Sequence, residues 1–313
     1  MAFTPPKETN TGKVYSVTMG TGDKAVTIGG ENVLPFHGFE GVVPNKPVIA
    51  FDVMDIAPVD WPDTVREIYA GVSDDPVTWA KFCVEKFNAK AICLRLAGTH
   101  PDNGNRSTAE AAETVKKVLD AVSVPLIILG SNHVEKDTEV LVKTAEVAKG
   151  RNCVIGKAQE ANYKTVAAAA MAHDHLLIAM SELDINLSKQ LNIMITQLGF
   201  NKEKIIIDPM CSALGYGLEY TYTVMERIRL AALTQNDVTM QQPIVGDVGM
   251  YVWKIKEVSA SEDTLPMWGA LKERGIGWEA QTATALLMSG AELLIMRHPE
   301  AVAAVEAFIN EMI

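Results

Sequence analysis

The chain is poor in the features that announce most chemistries. It has four cysteines, Cys83, Cys93, Cys153 and Cys211, all far apart and none in a C-x-x-C pair. That spacing excludes a disulfide framework, a Cys-based zinc site and an iron-sulfur cluster ligated by this chain alone. Basic residues are scarce and scattered. With 28 Lys and Arg against 39 Asp and Glu, the formal charge is −11, so a polyanion such as nucleic acid would find no clustered cations to bind. Long apolar runs are also missing. The opening MAFTPPKETNTGK has no signal-like apolar stretch, and runs such as 126–129 and 167–172 are far too short to span a bilayer. A soluble cytoplasmic protein with no membrane and no nucleic-acid partner is the expectation.

Catalytic templates are absent too. There is no H-E-x-x-H, no G-x-S-x-G, no P-loop, no G-x-G-x-x-G after the first strand and no adjacent Cys and His. His173 and His175 form an H-x-H, but they fall where a helix runs into a strand and read as structural rather than metal-binding.

What is present is a regular alternation of short apolar runs with amphipathic helical stretches. Eight runs read as strands: Val48–Val53, Ala91–Leu96, Leu126–Gly130, Cys153–Ala158, Leu176–Ser181, Ile205–Asp208, Ile244–Val248 and Glu292–Met296. Their near-continuous hydrophobicity is what parallel strands covered on both faces require. Helix starts are well marked, by Asp75-Pro76 and by the capping box Ser107-Thr108-Ala109-Glu110. Eight βα units without a linker favour a closed (β/α)8 barrel over 47–313, with an open doubly wound sheet as the rival. Ahead of it, Val14–Met19 and Ala25–Ile28 flank Gly20-Thr21-Gly22-Asp23, a hairpin signal, so residues 1–46 read as an N-terminal hairpin extension.

In such a barrel, function sits at the carboxyl ends of the strands. The candidates there are Asp52, Asp55, Arg95, Thr99, Ser131, Asn132, His133, Gln159, Glu160, Ser181, Glu182, Asp184, Asp208, Met210, Cys211, Asp247, Gly249, Arg297 and His298. As a set they predict an open polar cup, in which Asp52 or Asp55 near Asp208 or Asp247 could serve as paired carboxylates or orient a ligand. No nucleophile is evident. Two apolar loops follow: 209–217, with Gly215 and Gly217, and 249–277, with Met250, Tyr251, Trp253, Leu265, Met267 and Trp268. The second either folds down as an extra helix or serves as a docking surface.

Three segments, KAVTIGGENVLPFHGFEGVVPNKPVIAFDVMD, IIIDPMCSALGYGLEYTYTVMERIR and WEAQTATALLMSGAELLIMRHPEAV, resemble the small subunit of the corrinoid iron-sulfur protein of the anaerobic acetyl-CoA pathway, and the likeness runs through nearly the whole chain. The resemblance implies a (β/α) barrel paired with a large subunit that carries the iron-sulfur cluster and grips a cobamide, which sits against the barrel's carboxyl-end face. It implies a carrier that accepts a methyl group from a methyltetrahydrofolate methyltransferase and hands it to acetyl-CoA synthase. On that basis Asn132, Gln159, Ser181, Asp208, Met210 and Asp247 are expected nearest the corrin, and Tyr216, Tyr251, Trp253 and Trp268 at the partner interface. No catalytic residue and no metal ligand is assigned to this chain. The alternative is a pterin-binding barrel methyltransferase acting on methyltetrahydrofolate, favoured by the Ile-Asp-Pro at 207–209, with Asp208 and Asn132 on the pterin.

Overall fold

The structure, a computed structural model, describes residues 6–264 and 266–313; residues 1–5 and Leu265 lie outside the described residues. A short antiparallel hairpin comes first, β1 (Val17–Met19) paired with β2 (Val26–Ile28). Then come β3 (Val48–Met54), the short α1 (Asp63–Arg66), α2 (Pro76–Phe87), β4 (Ala91–Arg95), α3 (Thr108–Ala121), β5 (Leu126–Leu129), α4 (Val134–Val147) and β6 (Val154–Ala158). The chain continues with α5 (Tyr163–Ala172), β7 (Leu176–Met180), α6 (Ile185–Gln197), β8 (Ile205–Asp208), α7 (Leu218–Leu233), β9 (Ile244–Gly246), the short α8 (Val248–Val252), α9 (Leu271–Met288), β10 (Ala291–Met296) and α10 (Pro299–Met312). Strands β3 to β10 close into a barrel in the order β10-β3-β4-β5-β6-β7-β8-β9, every adjacent pair parallel. The eight strands coincide with the eight apolar runs to within a residue or two, and the open-sheet rival is excluded by closure.

The helix boundaries follow local chemistry. Asp75 accepts from the Thr78 N–H ahead of Pro76, and Ser107 and Glu110 exchange both hydrogen bonds of a capping box. His175 is buried, with Nε2 against the Ala145 carbonyl oxygen at 2.9 Å and Nδ1 accepting from the Cys153 N–H at 3.2 Å, so both ring nitrogens serve the fold.

Two apolar shells divide the interior. Outer strand side chains meet the helices, while Ala50, Ala91, Cys93, Ile127, Leu129, Val154, Leu176, Ile178, Ile206, Val245, Leu293 and Ile295 fill the barrel. Val17, Met19 and Ile28 of the hairpin belong to that same inner cluster. The hairpin is therefore the floor of the barrel. Asn152, just before β6, fixes it there, accepting from the Gly20 N–H at 2.9 Å and donating through Nδ2 to the Thr18 carbonyl at 2.8 Å. All four cysteines are free and buried. Burial pushes the Cys83 and Cys153 thiols up to about 12 and Cys211 well above its ordinary value, which leaves none of them reactive.

The floor makes a measurable prediction. Replacing Met19 or Ile28, both fully buried, with alanine removes core side chains that no helix can replace. The expected loss is about 2–5 kcal/mol of unfolding free energy in a denaturant titration. A loss within the error of the titration would show the hairpin to be an appendage.

Candidate functional site

Inside the barrel, the inward-facing residues of each strand step from apolar to charged toward the carboxyl end. Ala50 gives way to Asp52, Cys93 to Arg95, Ile206 to Asp208, Val245 to Asp247 and Ile295 to Arg297. The period of two in each strand puts all of these on the inner face. Lys157 joins them from β6, whose register against β7 shifts between Ile155 and Ala158.

These groups make one buried network. Arg95 Nε donates to Asp52 Oδ1 at 3.1 Å, while its two terminal nitrogens reach Asp247 at 2.8 and 3.2 Å. Lys157 Nζ lies 2.8 Å from Asp208 Oδ2 and 3.1 Å from Asp247 Oδ2. Arg297 Nε donates to the second oxygen of Asp52 at 2.9 Å, with its guanidinium 4.1 Å above the Trp61 ring. Three cations thus face three carboxylates, drawn from six of the eight strands or strand ends, and their side chains are at most 4% exposed.

The electrostatics follow from this closure. Burial alone would neutralise Asp247, but Arg95 and Lys157 outweigh it and hold the carboxyl well below its ordinary range. Burial also opposes charge on Arg95 and Lys157, yet Asp247 with Asp52 raises the first and Asp208 with Asp247 raises the second. All three therefore stay ionised across the ordinary pH range. The Arg95 guanidinium lies between Asp52 and Asp247, so these two carboxylates are paired with it and not with each other. Asp55 is held apart, accepting from the Gly98 N–H at 2.7 Å with Arg106 3.6 Å away.

The mouth is roofed as well as filled, so the open polar cup expected from the sequence is corrected. Helix α8 folds across it, with Val248, Gly249 and Val252 buried. At Gly249 a Cβ would lie 2.7 Å from Arg297 Cγ, so only glycine lets α8 settle on the network. Of the apolar 249–277 loop, Trp253, Ile255 and Val258 fold down into the chain, while Met267 stands 92% exposed.

The expected ligand residues fall into two layers. Asn132 is exposed, in the left-handed region at φ 71°, in a turn held by Asp137, which accepts from the Ser131 and Asn132 N–H groups at 2.7 and 2.8 Å. Gly130 is required beneath that turn, since a Cβ would fall 2.2 Å from the Asp137 carboxyl carbon. Gln159 is half-buried. Met210 is half-buried at φ 67°, its N–H donating to Asp208 Oδ1 at 2.9 Å. Ser181 is buried and its hydroxyl has no partner. Asp208 and Asp247 lie deeper, fully buried in the ion network, and present no free edge to a ligand.

The expected interface aromatics also separate. Tyr216 is 46% exposed and donates to Glu257 Oε2 at 2.6 Å. Trp268 is 46% exposed and stacks on Trp278 at 5.0 Å, with Trp278 Nε1 donating to the Leu214 carbonyl at 2.8 Å. Tyr251 is half-buried beside the network, where burial pushes its phenol up to about 12. Trp253 is only 2% exposed, stacked on His298 at 5.9 Å, so it lies inside the chain and not on its surface.

Two residues that matter were missed by reading strand ends. Lys157 sits inside a strand, hidden in an apolar run. Glu279 sits in α9, where its carboxylate accepts from the Arg297 and His298 N–H groups at 2.7 and 2.9 Å and so fixes the strand end that carries Arg297. Burial pushes this carboxyl up to about 7 despite those two hydrogen bonds. Among the described residues no group of three or more His, Cys, Asp and Glu is arranged to hold a metal ion, and no helix is long and apolar enough to cross a membrane.

The fold and mouth together define a (β/α)8 TIM barrel whose carboxyl-end face is a closed, charge-balanced surface. Dihydropteroate synthase from Coxiella burnetii, solved with pteroic acid, superposes with a TM-score of 0.58 at 12% identity, covering 88% of this chain and 96% of that one. The Thermus thermophilus dihydropteroate synthase gives 0.56 at 11% identity, over 94% and 98%. At that identity the likeness concerns the fold. Residues 16–307 match the family model of the CO dehydrogenase/acetyl-CoA synthase delta subunit, and the chain belongs to that family. The acetyl-CoA decarbonylase/synthase complex subunit delta 1 of Methanosarcina thermophila is 40% identical over 294 residues, 92% of this chain and 66% of that protein. The corresponding delta subunits of Methanopyrus kandleri and Archaeoglobus fulgidus are 39% and 36% identical, over 91% and 99% of this chain and 70% and 71% of theirs. The chain thus spans about two thirds of the length of these relatives.

Two outcomes test the site's physics. Lys157→Met leaves Asp208 and Asp247 facing one cation fewer in a dry interior, and is expected to cost about 3–5 kcal/mol in denaturant unfolding. Glu279 predicts a pH dependence. Its folded value, about 7, lies above the ordinary 4.5 of a glutamate, so between these the unfolded chain loses a proton that the folded chain keeps. Its contribution to stability therefore falls as pH rises through that window and is level on either side. Thermal unfolding of the protein and of Glu279→Gln across pH 4.5–7 should show a downward slope in the first that is reduced in the second; equal slopes would contradict it.

Proposed function

We propose that this chain is the small subunit of a corrinoid iron-sulfur methyl carrier in the acetyl-CoA pathway. It pairs with a large subunit that holds the iron-sulfur cluster and shares a cobamide with this chain's carboxyl-end face. The carrier takes a methyl group from a methyltetrahydrofolate methyltransferase and passes it to acetyl-CoA synthase. The observation that carries the reading is the delta-subunit family match over residues 16–307. It is joined by a buried network at the mouth in which three cations and three carboxylates are paired with one another, as suits a surface that shelters a cofactor.

The residues present fit such a group. The Ser181 hydroxyl is a buried polar atom left without a partner at the carboxyl edge of β7, and Asn132 and Met210 stand in left-handed turns on the rim. With a cobamide in place, Asn132, Gln159 and Met210 would line it and Ser181 would meet a polar group at its edge. Asp208 and Asp247 would act from beneath, keeping Lys157 and Arg95 charged and fixed. The cobamide supplies a metal centre that accepts and releases methyl as a cation equivalent. This chain's share is to orient that face, exclude water from it and offer no competing nucleophile. Tyr216 and Trp268, with the stacked Trp278, supply an aromatic rim on which a partner subunit can seat. The pterin alternative is less well supported, because Asp208 is engaged by Lys157 and the Met210 N–H, and Asn132 Nδ2 points at Met250.

The test is co-expression with a candidate large subunit, followed by an absorption spectrum. A corrinoid signature in the complex, absent from this chain purified alone, is expected. Titration of the isolated chain with methyltetrahydrofolate is expected to show no binding; saturable binding would favour the methyltransferase. In the complex, Trp268→Ala should weaken association of the two subunits by about 2 kcal/mol, read by calorimetry.

A further inference from the structure

The barrel order places one side chain across the axis of the mouth. Met250 follows β9, and its Sδ lies 3.4 Å from Asn132 Nδ2, in the loop after β5. In the ring β10-β3-β4-β5-β6-β7-β8-β9, strands β9 and β5 are four steps apart in either direction, which makes them diametrically opposed. To touch Asn132 from that position, Met250 must span the centre. Beneath it, the same Sδ lies 3.3 Å from Nη1 of Arg95, a residue that itself reaches from β4 to Asp247. Met250 remains partly exposed, and Gly249 beside it is clamped on Arg297, so this is a fixed roof and not a loop passing by.

We infer that Met250 is the central contact of the carboxyl-end face, the group that a flat ring lying on the mouth meets at its middle, and that its thioether shields that centre without coordinating it. This rests on the cobamide reading above. A thioether sulfur is a weak acceptor, and both N–H donors, from Arg95 and Asn132, approach the Met250 sulfur. Its electron pairs are thereby occupied. A metal at the centre of the ring would meet a polarizable apolar surface from this chain, with no ligand from Met250 in the way of a methyl group.

The experiment uses the two-subunit complex, with corrinoid and stripped of it. Under dilute hydrogen peroxide, peptide mass spectrometry is expected to show Met250 oxidised about tenfold more slowly in the loaded complex than in the stripped one, while exposed Met267 reacts alike in both. Met250→Leu, which keeps the bulk and removes the sulfur, is expected to retain the corrinoid with an unchanged absorption spectrum; Met250→Ala is expected to lose most of it on gel filtration. Equal oxidation in both complexes would place Met250 away from the ring, and a changed spectrum in Met250→Leu would make the sulfur a ligand. Either result overturns the inference. A wild-type complex that carries no corrinoid at all overturns the underlying reading instead.

Discussion

The ion network across the barrel mouth is the constraint on which the rest of the carboxyl-end face depends. Taking three cations and three carboxylates out of water is costly, and their mutual attraction offsets that cost only when each charge has a partner at good geometry. Arg95 satisfies this by forking to Asp247 while its Nε engages Asp52, and Arg297 completes Asp52 from the far side. The consequence is rigidity. Each charge is held by residues on other strands, so a shift of one strand end would strand a charge on another. Helix α8, Met250 and the Met210 turn are built on this base, and they take their positions from it.

The two ends of the barrel are closed by opposite chemistry. The floor is apolar and comes from outside the βα repeat, from Val17, Met19 and Ile28 of the hairpin. The roof is charged beneath and apolar above, and comes from the strand ends themselves. An apolar floor tolerates small adjustments, because burial is non-directional. A charged roof does not, because hydrogen bonds and ion pairs are lost over fractions of an ångström to an ångström. The stability of the barrel and the precision of its working face are thus assigned to different ends, as the architecture of this fold class would have it.

Most of the fold was legible in the sequence because it depends on local pattern. Continuous apolar runs mark strands covered on both sides, and caps such as Asp75-Pro76 and Ser107 to Glu110 mark the helices between them. Asp52, Arg95, Asp208, Asp247 and Arg297 were legible as mouth residues for the same reason, since strand ends point there. Their mutual pairing was not, because it joins positions up to 245 residues apart. Lys157 was hidden inside an apolar run, where a lone lysine gives no sign that two carboxylates await it. Trp253 was misplaced by composition: an aromatic in a long loop reads as a docking residue until a neighbour such as His298 is seen to cover it. Glu279 carried no signal at all, since a carboxylate in a helix is ordinarily solvated, and only the tertiary fold brings two backbone N–H groups to it.

Charge balance also bears on what the face can accept. A net charge at the mouth would select a ligand of opposite sign and hold it by Coulomb attraction, as an unpaired Lys or Arg holds a phosphate or a carboxylate. Here every formal charge in the six-residue network is cancelled within it, so the network itself offers a ligand no unpaired charge. What remains is shape, dispersion against Met210, Met250 and Tyr251, and a directed group at the rim, the exposed Asn132. Those forces favour something broad and flat with polar edges over something small and charged. They also favour a second protein closing over it, because a broad ligand held by dispersion is retained only if water is kept from its other face. The exposed Tyr216 and Trp268, the latter stacked on half-buried Trp278, are where the proposed partner would bear, and that is the physical reason for reading the barrel as one half of a site.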